Sequence, residues 1–291
     1  METTELLKKV RKIEIRTKGL VNQIFSGEYH SVFKGRGMTF SEVREYQIGD
    51  DIRTIDWNVS ARFNHPYVKI FEEERELTVM LLVDVSGSGE FGTVRQMKNE
   101  IAAELCAVLS FSAIKNNDKV GVIFFSDRIE KFIPPKKGRT HILRIVRELL
   151  DFKPQNRGTD IGEGLRYLTG AIKKRSIVFL ISDFLNDGYD DALKIAARKH
   201  DLIAVHLFDP RETEIPSGGL MLIRDAESDE PLWIDTGDAR LRNGYTRWWK
   251  NREESRRRLF LHSGVDTIDI RIDQPYIQPL VSFFRIRERR W

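Results

Sequence analysis

The sequence predicts an α/β protein: a doubly wound, mainly parallel sheet carrying a small β-rich N-terminal subdomain. Two observations predict it. From residue 77 onward, short continuous apolar runs (Leu77 to Val83, Val120 to Phe125, Ser176 to Ile181, Leu202 to Phe208) alternate with segments whose apolar residues recur at helical spacing. Strands alternating with helices at this pitch call for parallel neighbours and right-handed crossovers. Residues 26–76 have another texture, rich in charge, glycine and aromatics, and fit short strands and turns. The chain divides accordingly into an N-terminal helix (1–25), a β-rich part (26–76) and an α/β domain (77–291).

The elements follow in order. Leu6, Leu7, Val10 and Ile13 give residues 2–16 a helical spacing, with Thr3 or Thr4 as cap and Gly19 as stop. Tyr67 to Glu72 alternates as a strand. Strand 77–83 leads to a helix near 94–115, with Met97, Ile101, Leu105, Val108 and Leu109 on its apolar side. Val120 to Phe125 reads as a buried strand, and Ile129 to Ile133 as an edge strand before Pro134-Pro135. Helices are expected at 141–150, 160–173 and 188–199, with strands 176–181 and 202–208 between and after the last two. Residues 211–237 read as an added hairpin with strands 220–224 and 232–235. An amphipathic helix over 238–262, a strand over 266–272 and a closing helix over 276–288 complete the chain.

Composition bounds the function. Of 291 residues 41% are hydrophobic and 10% aromatic, ample for a packed core. Net charge is only +4, but from Arg240 to Trp291 there are 13 Arg/Lys against 6 Asp/Glu. That excess fits a basic face for nucleic acid, anionic lipid or an acidic partner; the mixing in Arg252-Glu253-Glu254-Ser255-Arg256 favours a solvated helix face with local ion pairs. The single cysteine, Cys106, lies in an apolar helical run and reads as core filler. No apolar run approaches the roughly 20 residues of a membrane span, and no signal peptide is evident. The expectation is a cytoplasmic protein, with peripheral membrane association left open.

Three loops are expected at or near the carboxyl ends of central strands, where open α/β sheets bind ligands. The first carries Asp84-x-Ser86-x-Ser88; the second is Gly158-Thr159-Asp160-Ile161-Gly162; the third is Ile181-Ser182-Asp183-Phe184. Converging, they would offer two carboxylates and three hydroxyls, hard oxygen donors that suit Mg²⁺ or Mn²⁺ better than zinc. So few protein charges leave the ion under-neutralised, with a position for water or for a carboxylate from elsewhere. The competing reading is local: Asp84 or Ser86 capping the following helix, and Thr159 capping the helix near Asp160.

Asp84-x-Ser86-x-Ser88, then Thr159, then Asp183, on successive α/β units, resembles the metal-ion-dependent adhesion site of von Willebrand factor A domains. The resemblance covers about residues 77–208. It implies direct ligation by Ser86, Ser88 and Thr159, with Asp84 and Asp183 acting largely through water. Upstream, Gly35-Arg36-Gly37-Met38-Thr39-Phe40, Arg44-Glu45-Tyr46, Gly49-Asp50-Asp51-Ile52-Arg53 and Ile55-Asp56-Trp57-x-x-Ser60-Ala61-Arg62 resemble the family catalogued as domain of unknown function 58, over most of the chain. That resemblance implies a bacterial protein working with a MoxR-type AAA+ ATPase in a metal-dependent or chaperone-like assembly. Gly89 departs from the Met common after the second serine, at no cost to ligation.

The resulting expectation is a non-enzymatic, divalent-cation-dependent protein-binding module whose partner lends an acidic side chain to the metal. Two alternatives stand beside it. Asp84 with Mg²⁺ suggests a hydrolase or phosphotransferase, although the second Asp of the aspartyl-phosphatase pattern is replaced by Ser86. A Ser86 nucleophile would need a nearby histidine, for which His141 stays open. The basic C-terminal third suggests nucleic-acid or anionic-surface binding, marked by steep salt dependence; nucleic acid is not the expected partner. The Arg/Asp-rich stretch 44–62 reads as an internal ion-pair network, with Tyr46 and Trp57 as core anchors.

Overall fold

Val79–Val83 is an unbroken β-branched and aliphatic run that is fully buried, the signature of a strand covered on both faces. In the computed structural model it forms the middle of β3 (Thr78–Asp84). The structure describes residues 10–17, 39–72, 76–90, 97–224 and 230–290. The expected cap and stop of the N-terminal helix, Thr3, Thr4 and Gly19, lie outside these residues, whereas 10–17 are helical.

The chain forms two units, Phe33–Leu77 and the remainder. In the smaller unit β1 (Thr39–Glu45) pairs antiparallel with β2 (Tyr67–Glu72), with a register shift between Phe40 and Glu42. Between them Asp51 accepts from Arg53 N to cap a 3-10 turn, and Asp56 accepts from Asn58 N and Val59 N to cap α1 (Trp57–Phe63). The expected ion-pair network is local. Arg44 forks onto both oxygens of Asp50 at 2.8 Å, and Lys69 reaches Asp56 at 3.4 Å. Trp57 is no core anchor: it is 71% exposed, because Asp56 starts the helix and turns the indole outward.

In the larger unit six strands run in the order β10-β7-β6-β3-β4-β5. Here β4 is Lys119–Phe125, β5 Ile129–Lys136, β6 Ile177–Ser182, β7 Asp201–Phe208 and β10 Asp266–Arg271. All neighbours are parallel except β5, which runs antiparallel to β4 at the edge. The prolines of β5 are tolerated because an edge strand needs donors on one side only. From β3 the chain winds first towards β4 and β5, then returns to β6 and proceeds to β7 and β10. The switch point therefore lies between β3 and β6.

Helix α2 (Lys98–Lys115) departs from the one-sided pattern. It is buried at Lys98 and throughout 101–113, and Met97, expected on its apolar face, is 48% exposed as the N-cap. A helix covered all round carries apolar or small residues all round, as Ala102, Ala103, Cys106 and Ala107 show. Its one buried acid, Glu104, is satisfied by Arg16 of helix 10–17 and by the Tyr276 hydroxyl at 2.8 Å. The remaining helices are α3 (Arg139–Asp151), α4 (Ile161–Ala171), α5 (Asp190–Lys199), α6 (Ala239–Ser263) and α7 (Ile277–Glu288). The added hairpin is β8 (Leu220–Arg224) with β9 (Pro231–Asp235). On α6 only Arg256 and Phe260 are buried, and Glu253–Arg257 and Glu254–Arg258 pairs line it, the solvated face its charge mixing suggested. Among the described residues no helix is long and apolar enough to cross a membrane.

Packing is tight where β5 crosses Gly121. A Cβ there would stand 2.8 Å from Met80 Sδ, 2.9 Å from Pro135 N and 3.0 Å from Ile133 O. Two of these are backbone atoms and cannot yield. Gly121→Ala is expected to cost roughly 1–3 kcal/mol by overpacking. Urea denaturation reads this directly; an unchanged midpoint would contradict the close approach.

Candidate metal centre

The three loops meet at the switch point. Strand β3 ends in Asp84 because its carboxylate has partners: Oδ1 accepts from Ser86 N at 3.0 Å and Oδ2 from Ser182 Oγ at 2.7 Å. Ser86 N–H thus folds the loop back on the strand end, and Ser182 ties β6 to β3. The loops join at two further points. Gly87 N donates to Arg157 O at 2.9 Å, and Asn186 Nδ2 donates to Thr159 O at 2.8 Å. Ser88 also hydrogen-bonds the Asp183 side chain. Asp84, Ser86, Ser88 and Asp183 are thereby linked side chain to side chain or through adjacent backbone. Thr159 is brought in through its carbonyl. The helix-capping role falls to Asp160, which accepts from Glu163 N at 2.9 Å, so Thr159 is not the cap.

Ser86 Oγ and Ser88 Oγ hydrogen-bond each other at 3.1 Å, a distance that a shared cation could also span. Adjacent ligands on an octahedral Mg²⁺, with bonds of about 2.1 Å, stand about 3.0 Å from each other. A cavity of about 20 Å³ opens beside Asp84, Ser88, Lys98 and Asp183, with Ala102 and Leu207 as apolar walls. It holds one water-sized group. Among the described residues no three His, Cys, Asp or Glu side chains gather as a metal cage. A donor set of two carboxylates with hydroxyls is the open alternative, and it fits a small hard cation.

Three residues of the site carried no sequence signal of their own role. Ser182 is the link to Asp84. Lys98, the first residue of α2, is buried and places Nζ 2.9 Å from Asp183 Oδ2 and 2.5 Å from Glu212 Oε1. Glu212 Oε2 in turn accepts from Asp209 N at 3.0 Å, completing a capping box after β7. Asp209-Pro210-Arg211-Glu212 is a recognisable capping sequence; that its acid also meets Lys98 depends on the sheet order.

Charge sets the protonation states. Burial, then the charge of Asp183, pushes the Asp84 carboxyl up to about 6. Burial works the same way on Asp183, but the Lys98 ammonium outweighs it and holds Asp183 below the usual carboxylate range. Burial leaves Glu212 raised despite Lys98. Phe184, next to Asp183, has φ 56°, an uncommon conformation for a bulky residue. Its ring is locked against Phe260 at 5.1 Å. Beyond it lies a partly exposed aromatic cluster, Tyr245, Trp248 and Trp249, with Arg252 over Trp248 at 5.5 Å. Tyr245 donates to Glu212 O at 2.7 Å, tying that cluster to the site.

His141 is removed as a base for Ser86. Its Nε2 meets Val120 O at 2.9 Å, at the amino end of β4, whereas Val85 bonds Phe125 at the carboxyl end. Five residues of strand separate them, about 16 Å.

An α/β chain with an oxygen-donor cluster at its switch point is thus defined by the geometry. The chain belongs to the family described as protein of unknown function DUF58, whose sequence model matches residues 42–255. It is similar to the uncharacterized protein Rv1480 of Mycobacterium tuberculosis (strain ATCC 25618 / H37Rv), 27% identical over 99% of this chain and 92% of that one. It is similar over a shorter stretch to the uncharacterized protein YeaD of Bacillus subtilis (strain 168), 28% identical over 38% of this chain and 25% of that one. Among solved structures, the conserved hypothetical protein BatB from Bacteroides thetaiotaomicron aligns with a TM-score of 0.47 at 18% identity, over 73% of this chain and 99% of that one. Proximal thread matrix protein 1 from the mussel byssus, with a zinc-occupied MIDAS motif, aligns with a TM-score of 0.37 at 20% identity, over 45% of this chain and 38% of that one.

Proposed function

We propose that this chain is a non-enzymatic protein-interaction module whose binding depends on a divalent cation, Mg²⁺ or Mn²⁺, held by Ser86, Ser88 and Thr159 with Asp84 and Asp183 behind water. The observation that carries the reading is the 3.1 Å spacing of the Ser86 and Ser88 hydroxyls beside a one-water cavity. Lys98 already neutralises part of Asp183, so the ion would retain net positive charge and favour an acidic side chain from a partner. The exposed aromatic cluster around Trp248 offers that partner a second, apolar contact.

A phosphoryl-accepting Asp84 fits less well. Both of its oxygens are hydrogen-bonded and the residue is only partly exposed, which suits a positioning group rather than a nucleophile. The family resemblance suggests a MoxR-type AAA+ ATPase as the partner, which would place the module in the cytoplasm. The test is co-elution of the two purified proteins with Mg²⁺, Mn²⁺ or EDTA. Complex formation is expected with either metal, and is expected to be lost in EDTA and in Asp84→Ala with unchanged circular dichroism. Capture that persists in EDTA would refute the cation dependence. A metal-competent chain that ignores the ATPase would refute only the choice of partner.

A further inference from the structure

We infer a second binding site, independent of the metal centre: the open edge of β10 receives an extended acidic peptide as an added strand. Among the described residues no strand pairs with the outer side of β10, which ends the sheet. Ile272 N donates to Phe208 O at 3.0 Å, so residues in phase with it face β7. Backbone alternation then turns the N–H and C=O groups of Thr267, Asp269 and Arg271 outward. An unpaired row of this kind is a template for another strand.

The edge lies along a groove of about 830 Å³ between α6 and α7. Its walls carry apolar side chains that water would otherwise cover, with Leu261 79% and Ile286 56% exposed. Four arginines line it against two aspartates: Arg256, Arg257, Arg287 and Arg290 against Asp266 and Asp269. Arg257 and Arg290 are about two-thirds exposed, and their pairs with Asp269 (3.9 Å) and Asp266 (3.0 Å) are surface pairs of little net worth. Arg257 also keeps a 2.8 Å pair with Glu253 through Nε, which leaves its remaining guanidinium nitrogens for an incoming carboxylate, and Arg290 can turn to one at small cost. Arg256 is buried, and its Nε and Nη1 have no hydrogen-bond acceptor among the described residues.

These features select the occupant. An acidic strand supplies carboxylates to the arginines, apolar side chains to Leu261 and Ile286, and alternating donors and acceptors to the backbone edge. A nucleic acid has no backbone ladder to match the alternating donors and acceptors of the β10 edge. A membrane surface does not enter a concave groove.

The experiment uses the full chain and fluorescence anisotropy with a labelled peptide of alternating valine and glutamate. The valine–lysine counterpart and a backbone N-methylated version serve as controls. The acidic peptide is expected to bind at least about tenfold tighter than either control, since like charges across an interface are strongly disfavoured. Binding is expected to persist in EDTA and in Asp84→Ala, which separates this site from the metal centre. Arg257→Glu with Arg290→Glu is expected to weaken it about tenfold or more. Thr267→Pro removes an outward N–H while sparing the pairing with β7, and is expected to weaken binding at unchanged melting temperature. Equal binding of the lysine peptide, insensitivity to the arginine reversals, or loss in EDTA would each overturn the proposal. So would a dimer in sedimentation velocity that Thr267→Pro dissolves, because the edge would then belong to a second copy.

Discussion

Lys98→Met is expected to destabilise the metal-free protein at pH 7 by roughly 3–5 kcal/mol, the cost of stripping one partner from a buried charge cluster. The Lys98 and Asp183 side chains are each 4% exposed and Glu212 is 11% exposed. Without the ammonium, two buried carboxylates face each other with no counter-charge. Two rescues distinguish this from a packing defect. Saturating Mg²⁺ is expected to recover part of the loss, because a cation at the site supplies the missing charge. Glu212→Gln on top of Lys98→Met is expected to recover part as well, by removing one of the stranded acids. Urea denaturation of the wild type and the two variants, with and without Mg²⁺, checks this. A loss below about 0.5 kcal/mol, the scale of an ordinary surface change, would contradict the account.

The second large effect is one of pH. Asp84 is raised to about 6 from an ordinary carboxylate value of 3.8, so the fold favours its neutral form. Its contribution to the metal-free fold is therefore complete below about pH 4 and lost as pH rises through about 6, on the order of 1–3 kcal/mol. Asp183, held low by Lys98, works the opposite way and loses its contribution as the solution becomes acidic. Asp84→Asn isolates the first effect: the difference in stability between variant and wild type is expected to grow between pH 4 and pH 7. Metal affinity runs the other way. A cation requires the carboxylate, so Mg²⁺ binding is expected to weaken about tenfold per pH unit below 6. A wild type and an Asp84→Asn variant with parallel stability curves would contradict the burial of this charge.

The fold was legible because its strands are extreme. Val79–Val83 and Ile177–Ser182 are buried on both faces, and such strands write themselves as continuous apolar runs. The spacing of Asp84, Ser86 and Ser88 was legible for a related reason: all three lie on one loop, where sequence neighbours are spatial neighbours. Lys98 and Glu212 were not. Lys98 meets Asp183, and Glu212 meets Lys98, only because β6 lies between β3 and β7, and no local pattern encodes that order. The one-sided reading of α2 failed because a helix covered on every side can place small residues where an amphipathic one places polar residues. Trp57 was misjudged because an aromatic residue next to a capping aspartate carries no mark of which way the first turn faces. His141 needed the sheet register to show that it sits at the wrong end of β4.

The most direct test of the cation site is calorimetric titration of Mg²⁺ and Mn²⁺ into the chelator-stripped protein, with Asp84→Ala as control. The account predicts saturable binding at one site, weakened in the wild type at pH 5 and lost in the variant. Binding that survives in Asp84→Ala, or no binding at all at pH 7.5 to a protein whose circular dichroism is native, would contradict it.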